Sequence, residues 1–175
     1  REMATGTHWW TPHYHGVLWF DKPPLFDWLA AMAMRLVGVS EFAARFPSAL
    51  LAIVLVVLVY HFAAHRWGRR AGILSAVVMA TCLQQIVLAR ASVTDMTLVC
   101  CLFGAITAYH RWVSATRRSS RIGWALLTGA MVGLGILTKG PVAAILVGLT
   151  ILLHLAWTRR LARLWSLDTL AALGA

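Results

Sequence analysis

Long apolar runs separated by short polar connections dominate the chain beyond residue 47. A helix that crosses a membrane needs roughly 20 mostly apolar residues, and several runs approach this length. None alternates apolar and polar positions as a barrel strand does, so each run is predicted to be a helix. The five predicted spans are approximately residues 48–64, 71–89, 96–112, 122–138 and 141–157.

The remaining residues complete a three-part organisation. Residues 1–47 are predicted to form an extracytoplasmic loop, 48–157 the five spans, and 158–175 a cytoplasmic connection with the start of a further helix. Residues 19–36 begin with a Pro23-Pro24 turn and continue as an amphipathic stretch that is too short and too charged to span, which is typical of an interfacial helix. The predicted fold class is an all-α membrane protein, a multi-pass helical bundle. Because the chain starts at Arg1 and its apolar rhythm continues to the last residues, we expect a piece of a longer protein.

Composition agrees with a bilayer as the main solvent. The chain is 60% hydrophobic and 13% charged, which is more apolar than an ordinary soluble domain. Its formal net charge of +10 comes from basic residues between apolar runs, whereas a nucleic-acid-binding domain carries them on a solvated surface. Nucleic acid is therefore excluded as a partner, and membrane lipids are expected.

The distribution of basic residues predicts the orientation, since cytoplasmic connections carry an excess of Lys and Arg. One side of the predicted membrane holds basic residues with almost no acidic neighbours: Arg66, Arg69, Arg70, Arg111, Arg117, Arg118, Arg121, Arg159, Arg160 and Arg163. The other side mixes basic and acidic residues: Arg1, Glu2, Asp21, Lys22, Asp27, Arg35, Glu41, Arg45, Arg90, Asp95 and Lys139. The first set is placed in the cytoplasm. The polar motifs then face the extracytoplasmic side of the inner (plasma) membrane.

Lys22 is a candidate for binding a phosphate. Pro23 and Pro24 follow it directly and restrict the backbone, so that its ammonium is held in a defined place at the membrane surface. Such a group suits a lipid phosphate. A lysine that merely anchors an interfacial helix by snorkelling explains the pattern equally well.

Asp95 and Lys139 lie at connections on the same predicted side. A carboxylate beside an apolar helix is costly unless it is paired or faces a polar cleft, so Asp95 could belong to a sugar or metal site. It could instead cap a helix N-terminus or pair with Arg90. Lys139 precedes Gly140-Pro141 and could bind a phosphate, or it could be a snorkelling lysine at a turn.

The first residues combine histidines with aromatic side chains. His8, His13 and His15 could ligate a metal, but nothing in their spacing fixes a tetrahedral geometry. The aromatic residues are those of an interfacial belt, and aromatic faces also stack on sugars. We favour the belt over a metal site.

An ordered set of motifs resembles the bacterial lipid A aminoarabinose transferases and their protein mannosyltransferase relatives. Each motif is weak alone, but together they cover most of the chain in the order of the family. The matching segments are Arg1-Glu2-Met3, Trp10-Thr11-Pro12-His13, Phe20-Asp21-Lys22-Pro23-Pro24-Leu25, Glu41-Phe42-Ala43-Ala44-Arg45-Phe46-Pro47-Ser48, Ala89-Arg90, Asp95-Met96 and Leu137-Thr138-Lys139-Gly140-Pro141.

The resemblance implies a GT-C type fold whose extracytoplasmic active site transfers a sugar from a polyprenyl-phosphate donor to lipid A or a protein. Lys22 matches the family lysine that binds the donor phosphate, and Asp95 matches a catalytic carboxylate that positions sugar hydroxyls or a metal. Lys139 matches a turn at the rim of the cavity. Arg90 and Arg1 are further candidates for substrate binding. A divalent metal ion is the one cofactor left open.

One departure from the family concerns its acidic pair, which falls upstream of the position matching Arg1 and includes the better candidate for a general base. The chain alone is therefore expected to be inactive. A transporter or flippase is a second interpretation, but broken helices and charges near the midplane would be expected of it. The interiors of the predicted spans hold only Gln84, Gln85 and a few hydroxyls, and the charges lie at the ends of the spans. A non-catalytic subunit that binds a lipid phosphate is a third.

Overall fold

A computed structural model describes residues 2–6, 13–14, 17–18 and 22–158, with the backbone alone at 13–14. Nearly all of this part is helical. The helices are α1 Glu2–Thr5, α2 Leu25–Val37, α3 Glu41–Trp67, α4 Arg69–Thr81, α5 Leu83–Arg90, α6 Thr94–Ser114, α7 Arg118–Lys139 and α8 Val142–Trp157. Two short strands, β1 His13–Tyr14 and β2 Val17–Leu18, pair antiparallel with His13 opposite Leu18.

Three described helices, α3, α6 and α7, are long and apolar enough to cross a membrane, and α4 with α5 makes a fourth if the bent pair is one span. The fifth predicted span corresponds to α8, a shorter apolar helix of 16 residues. The prediction of an all-α, multi-pass membrane fold is confirmed. The division at residues 47 and 157 stays a prediction.

Helix α3 begins before the predicted span. Ser40 is extended, and its hydroxyl accepts a hydrogen bond from the Ala43 amide at 3.2 Å, which satisfies one of the free amides of the first turn. Pro47 lies buried inside the helix. The 27 residues of α3 extend about 40 Å, which exceeds a hydrocarbon core of about 30 Å. Residues 41–47, which the sequence prediction placed in the first loop, are part of this helix.

Helix α4 packs closely against α3. At Gly72 an added Cβ would lie 2.7 Å from the Ala64 Cβ and 2.9 Å from the Tyr60 carbonyl oxygen. Real Cβ atoms do not approach so closely, so glycine is needed at this crossing. Glycine at position 72 thus fixes the separation of the two helices.

The second predicted span is interrupted. Helices α4 and α5 meet at Cys82, which is extended, and their axes differ by 60°. A continuous helix over residues 71–89 was predicted because apolar periodicity carries no signal for a break. The predicted span is therefore two helices.

The chain divides into two compact units. The first comprises residues 1–100 and 137–139, and the second comprises 101–136 and 140–175, so that the boundary passes through α6 and α7. The core of the first unit includes fully buried Leu55 and Met96. In the second unit Tyr109, Trp112 and Ala125 pack together.

Candidate functional site

Asp95 and Lys139 form an ion pair in the first compact unit. The Lys139 ammonium donates a hydrogen bond to Asp95 Oδ1 across 44 residues of sequence. Their side chains are 42% and 41% exposed, so the pair is accessible to a ligand. The sequence predicted a shared side of the membrane for these residues, and the structure brings them into contact.

Both charges lie at favourable helix ends. Asp95 is in the first turn of α6, and Lys139 is the last residue of α7. A helix N-terminus carries partial positive charge and a C-terminus partial negative charge, so each helix stabilises its own charged residue. The helix dipole of α6 and the ion pair with Lys139 therefore both stabilise the Asp95 carboxylate.

The turn after Lys139 is fixed by its own residues. Gly140 has a φ of 74°, and its amide donates to the Ile136 carbonyl at 2.8 Å. An L side chain rarely adopts this conformation, so glycine ends α7 at Lys139. Pro141, with a φ of −65°, then starts α8. Thr138 is fully buried, which further fixes the helix end.

The connection before Asp95 is held against α3. The Ser92 hydroxyl donates to the Ala44 carbonyl at 3.1 Å. Arg90 is the exposed last residue of α5. The Arg90–Asp95 pair that the sequence left open is not among the ion pairs of residues 22–158, where Lys139 is the partner of Asp95.

Lys22 is exposed and precedes the proline turn that starts α2. The Trp28 amide donates to the Pro24 carbonyl at 2.9 Å, which closes the first turn. Burial raises the pKa of Asp27 above its ordinary value, and the positive charge of Lys22 opposes this rise. Among the described residues, no hydrogen bond or ion pair joins Lys22 to the Asp95–Lys139 pair.

Several candidates from the sequence lie outside the described residues. These are Arg1 and the side chains of the histidine and aromatic residues His8, Trp9, Trp10, His13, Tyr14, His15, Trp19 and Phe20. In the described part of the chain, no three His, Cys, Asp or Glu residues group to hold a metal. Asp95 already binds a cation, Lys139. The part of the chain that the structure describes therefore offers no set of ligands for a metal ion.

Sequence reasoning missed the role of Arg35. Its Nε donates to the Ala4 carbonyl at 3.2 Å, and Nη2 donates to the carbonyls of Met3 at 3.3 Å and Gly6 at 3.4 Å. A guanidinium is well suited to the free carbonyls at a helix C-terminus. Arg35 thus holds residues 2–6 against α2. In the sequence it was only one charge on an amphipathic helix.

The chain is similar in sequence to known proteins over most of its length. Residues 21–175 match a family model described as dolichyl-phosphate-mannose-protein mannosyltransferase. The chain is 31% identical over 176 residues to the undecaprenyl phosphate-alpha-4-amino-4-deoxy-L-arabinose arabinosyl transferase of Aeromonas hydrophila, covering 100% of this chain and 32% of that protein. For the protein of the same name from Erwinia tasmaniensis, the identity is 32% over 179 residues with the same coverage.

The chain is also similar to solved structures. Crystal structures of ArnT from Cupriavidus metallidurans, in the apo state and bound to undecaprenyl phosphate, each match with a TM-score of 0.89 at 26% identity. The match covers 99% of this chain and 33% of each ArnT chain. The chain thus spans about a third of the length of these relatives. The GT-C type helical fold implied by the motifs is confirmed.

Proposed function

Because the chain belongs to the dolichyl-phosphate-mannose-protein mannosyltransferase family, we propose that it is part of a membrane glycosyltransferase that uses a polyprenyl-phosphate sugar. The acceptor is lipid A or a protein. One observation carries the proposal: a structure that matches almost the whole chain was solved with undecaprenyl phosphate bound. The donor named in the arabinosyl transferases is the first one to assay.

The proposed reaction needs cations near the donor. The polyprenyl phosphate leaves as the glycosidic bond breaks, so that negative charge develops on its oxygens. Preorganised positive groups stabilise such charge most where water is partly excluded. Lys22, held by the proline turn, binds the phosphate in this proposal. Lys139, whose side chain is 41% exposed beside Asp95, is a second phosphate ligand.

In this proposal Asp95 orients Lys139 and the sugar, and it does not abstract a proton. Its carboxylate holds Lys139 in place when no ligand is bound, and it can accept hydrogen bonds from sugar hydroxyls. A hydroxyl acceptor needs a general base, whereas a phosphate acceptor is already anionic and needs none. We assign no base among the described residues. Arg90, exposed at the end of α5, and Arg1 remain candidate substrate ligands.

The proposed site lies on the periplasmic face of the inner membrane. Support comes from the ends of the spanning helices: the arginine-rich ends include Arg66 in α3 and Arg118 in α7. Asp95 and Lys139 lie at the opposite ends of α6 and α7. Because basic connections remain cytoplasmic, the ion pair belongs to the other face.

Transport is the less favoured function, although the α4–α5 bend is a feature that transporters share. Transport sites commonly place charged groups in the middle of a broken span. Residues 71–89 contain no charged side chain. The described charges instead lie at helix ends, which supports transfer at the membrane surface.

The test is to replace Lys22 by Ala in the intact protein and to measure transfer and donor binding. A charged hydrogen bond contributes about 1.5–3 kcal/mol, so we expect both to fall about tenfold or more. Arg45→Ala is the matched control, because Arg45 is an exposed cation paired with Glu41 at 3.1 Å outside the proposed site. Unchanged transfer and binding in Lys22→Ala would refute the assignment. Donor binding without transfer by the intact wild-type protein would indicate a non-catalytic subunit.

A further inference from the structure

The bend between α4 and α5 has no proline at its origin. Residues 69–90 contain no Pro, and their one glycine, Gly72, lies near the start of α4. Sharp kinks have identifiable causes, which include a side chain that competes with the helix hydrogen bonds. The Thr81 hydroxyl donates to the Val77 carbonyl at 2.8 Å, and such back-bonding bends helices. This local effect is available to many straight helices, so a contact outside the segment must select the bend.

Gln85 supplies such a contact. Its side chain is 7% exposed, and its Nε2 donates to the Ala52 carbonyl of α3 at 3.4 Å. A buried amide without a partner is costly, and this cost is high among apolar helices. This hydrogen bond can form only while α5 is packed against α3. The neighbouring Gln84 is exposed, so the two amides differ in this contact.

A second hydrogen bond holds the other end of α5. Ser92, two residues beyond the helix, donates to the Ala44 carbonyl at 3.1 Å. Ala44 and Ala52 are about two turns apart on α3, and Gln85 and Ser92 are separated by a similar length of chain. The order is antiparallel, with the later residue of α5 paired to the earlier residue of α3. Two side-chain bonds to backbone carbonyls therefore fix α5 along α3.

We propose that Gln85 is a positioning residue that holds α5 against α3 and thereby sets where the following connection places Asp95 opposite Lys139. All of these residues belong to the first compact unit. The inference rests on the proposed function for the role of the ion pair in transfer. The position of α5 itself can be measured without any assay of transfer.

The first experiment measures this position with Gln85→Leu and the matched control Gln84→Leu in the intact protein. Leucine is close to glutamine in size and is a good helix former, and a buried apolar replacement leaves no unsatisfied amide. Spin labels are attached at Leu50→Cys on α3 and Val87→Cys on α5, both exposed, after the reactive native cysteines are replaced. We expect the distance distribution to shift or broaden in Gln85→Leu and to stay unchanged in Gln84→Leu. An unchanged distribution in Gln85→Leu overturns the proposal.

The second experiment is a double-mutant cycle on transfer. If Gln85 acts through Asp95, Gln85→Leu lowers kcat about tenfold, and the variant that also carries Asp95→Asn is no slower than Asp95→Asn alone. Fully additive losses overturn the positioning role. If Asp95→Asn alone leaves transfer intact, the proposed function of Asp95 fails, while the spin-label distances still decide the position of α5. Should Gln85→Leu fold poorly, Gln85→Met, which also removes the amide and keeps a good helix former, replaces it in both experiments with the same expected direction.

Discussion

Removal of the Asp95–Lys139 pair separates a structural role from a functional one. The variants are Lys139→Met and Asp95→Asn, singly and together. Because the side chains are 41% and 42% exposed, the pair is expected to contribute about 0.2–1 kcal/mol, as for exposed ion pairs. The helix dipole adds about 0.3–1 kcal/mol for each charge. Each single variant should therefore lose roughly 0.5–2 kcal/mol of stability.

Transfer should respond much more strongly. A cation that contacts the donor phosphate contributes about 1.5–3 kcal/mol, so Lys139→Met should lower kcat/KM by about tenfold to a hundredfold. The loss of stability is small against a folding free energy of about 5–15 kcal/mol, so unfolding cannot account for such a loss of transfer. Lys139→Arg keeps the charge and should retain part of the activity.

The assay combines donor-dependent transfer by the purified intact protein with thermal denaturation in the same detergent. Arg45→Met is the control, since it breaks the exposed Glu41–Arg45 pair and should cost at most about 0.5 kcal/mol without changing transfer. Added salt should narrow the stability difference between wild type and Lys139→Met, because exposed pairs are screened. If stability falls as expected and transfer is unchanged, the pair only joins two helix ends, and its proposed role in the reaction is wrong.

Three further predictions concern stability. Gly72→Ala should cost about 1–3 kcal/mol in denaturation experiments, because the new Cβ would lie 2.7 Å from that of Ala64; an unchanged midpoint would contradict the close crossing. Burial raises the pKa of Asp27 above 3.8, so the folded state holds this proton more tightly, and stability should fall as pH rises from below 3.8 through the raised pKa. Asp27→Asn should remove that fall, and identical pH profiles would refute it. Tyr109→Phe should cost about 1 kcal/mol, because the Tyr109 hydroxyl and His154 Nδ1 lie 2.7 Å apart; equal melting temperatures would contradict this contribution.

The spans could be predicted because apolar length is a property of consecutive residues. The interfacial helix was predicted within residues 19–36 from its proline turn and amphipathic pattern, and α2 occupies Leu25–Val37. Topology also placed Asp95 and Lys139 on one side, since alternate connections return to the same face of a membrane. The contact between these two side chains could not be predicted, because it joins residues 44 positions apart and depends on tertiary packing.

Other features were missed by a prediction that rested on apolar length and charge. The early start of α3 comes from the Ser40 cap, a local hydrogen bond with the Ala43 amide, whereas the sequence prediction began the span at residue 48. The break at Cys82 involves no proline. Arg35 binds carbonyls 29 to 32 residues away, and any exposed arginine could make such bonds. For Arg35, a tertiary contact supplies what the local pattern lacks.

The two charges of the proposed site are therefore positioned in different ways. Lys139 is placed by its neighbours, because Gly140 ends α7 with a positive φ and Pro141 starts the next helix. Asp95 follows a segment that is bonded to α3 by two long-range hydrogen bonds, from Gln85 in α5 and from Ser92 after it. Substitutions far from the site should then disturb transfer through Asp95 more readily than through Lys139. We expect such substitutions to cluster where α5 packs against α3, and a scan in which they cluster between α7 and α8 would contradict this account.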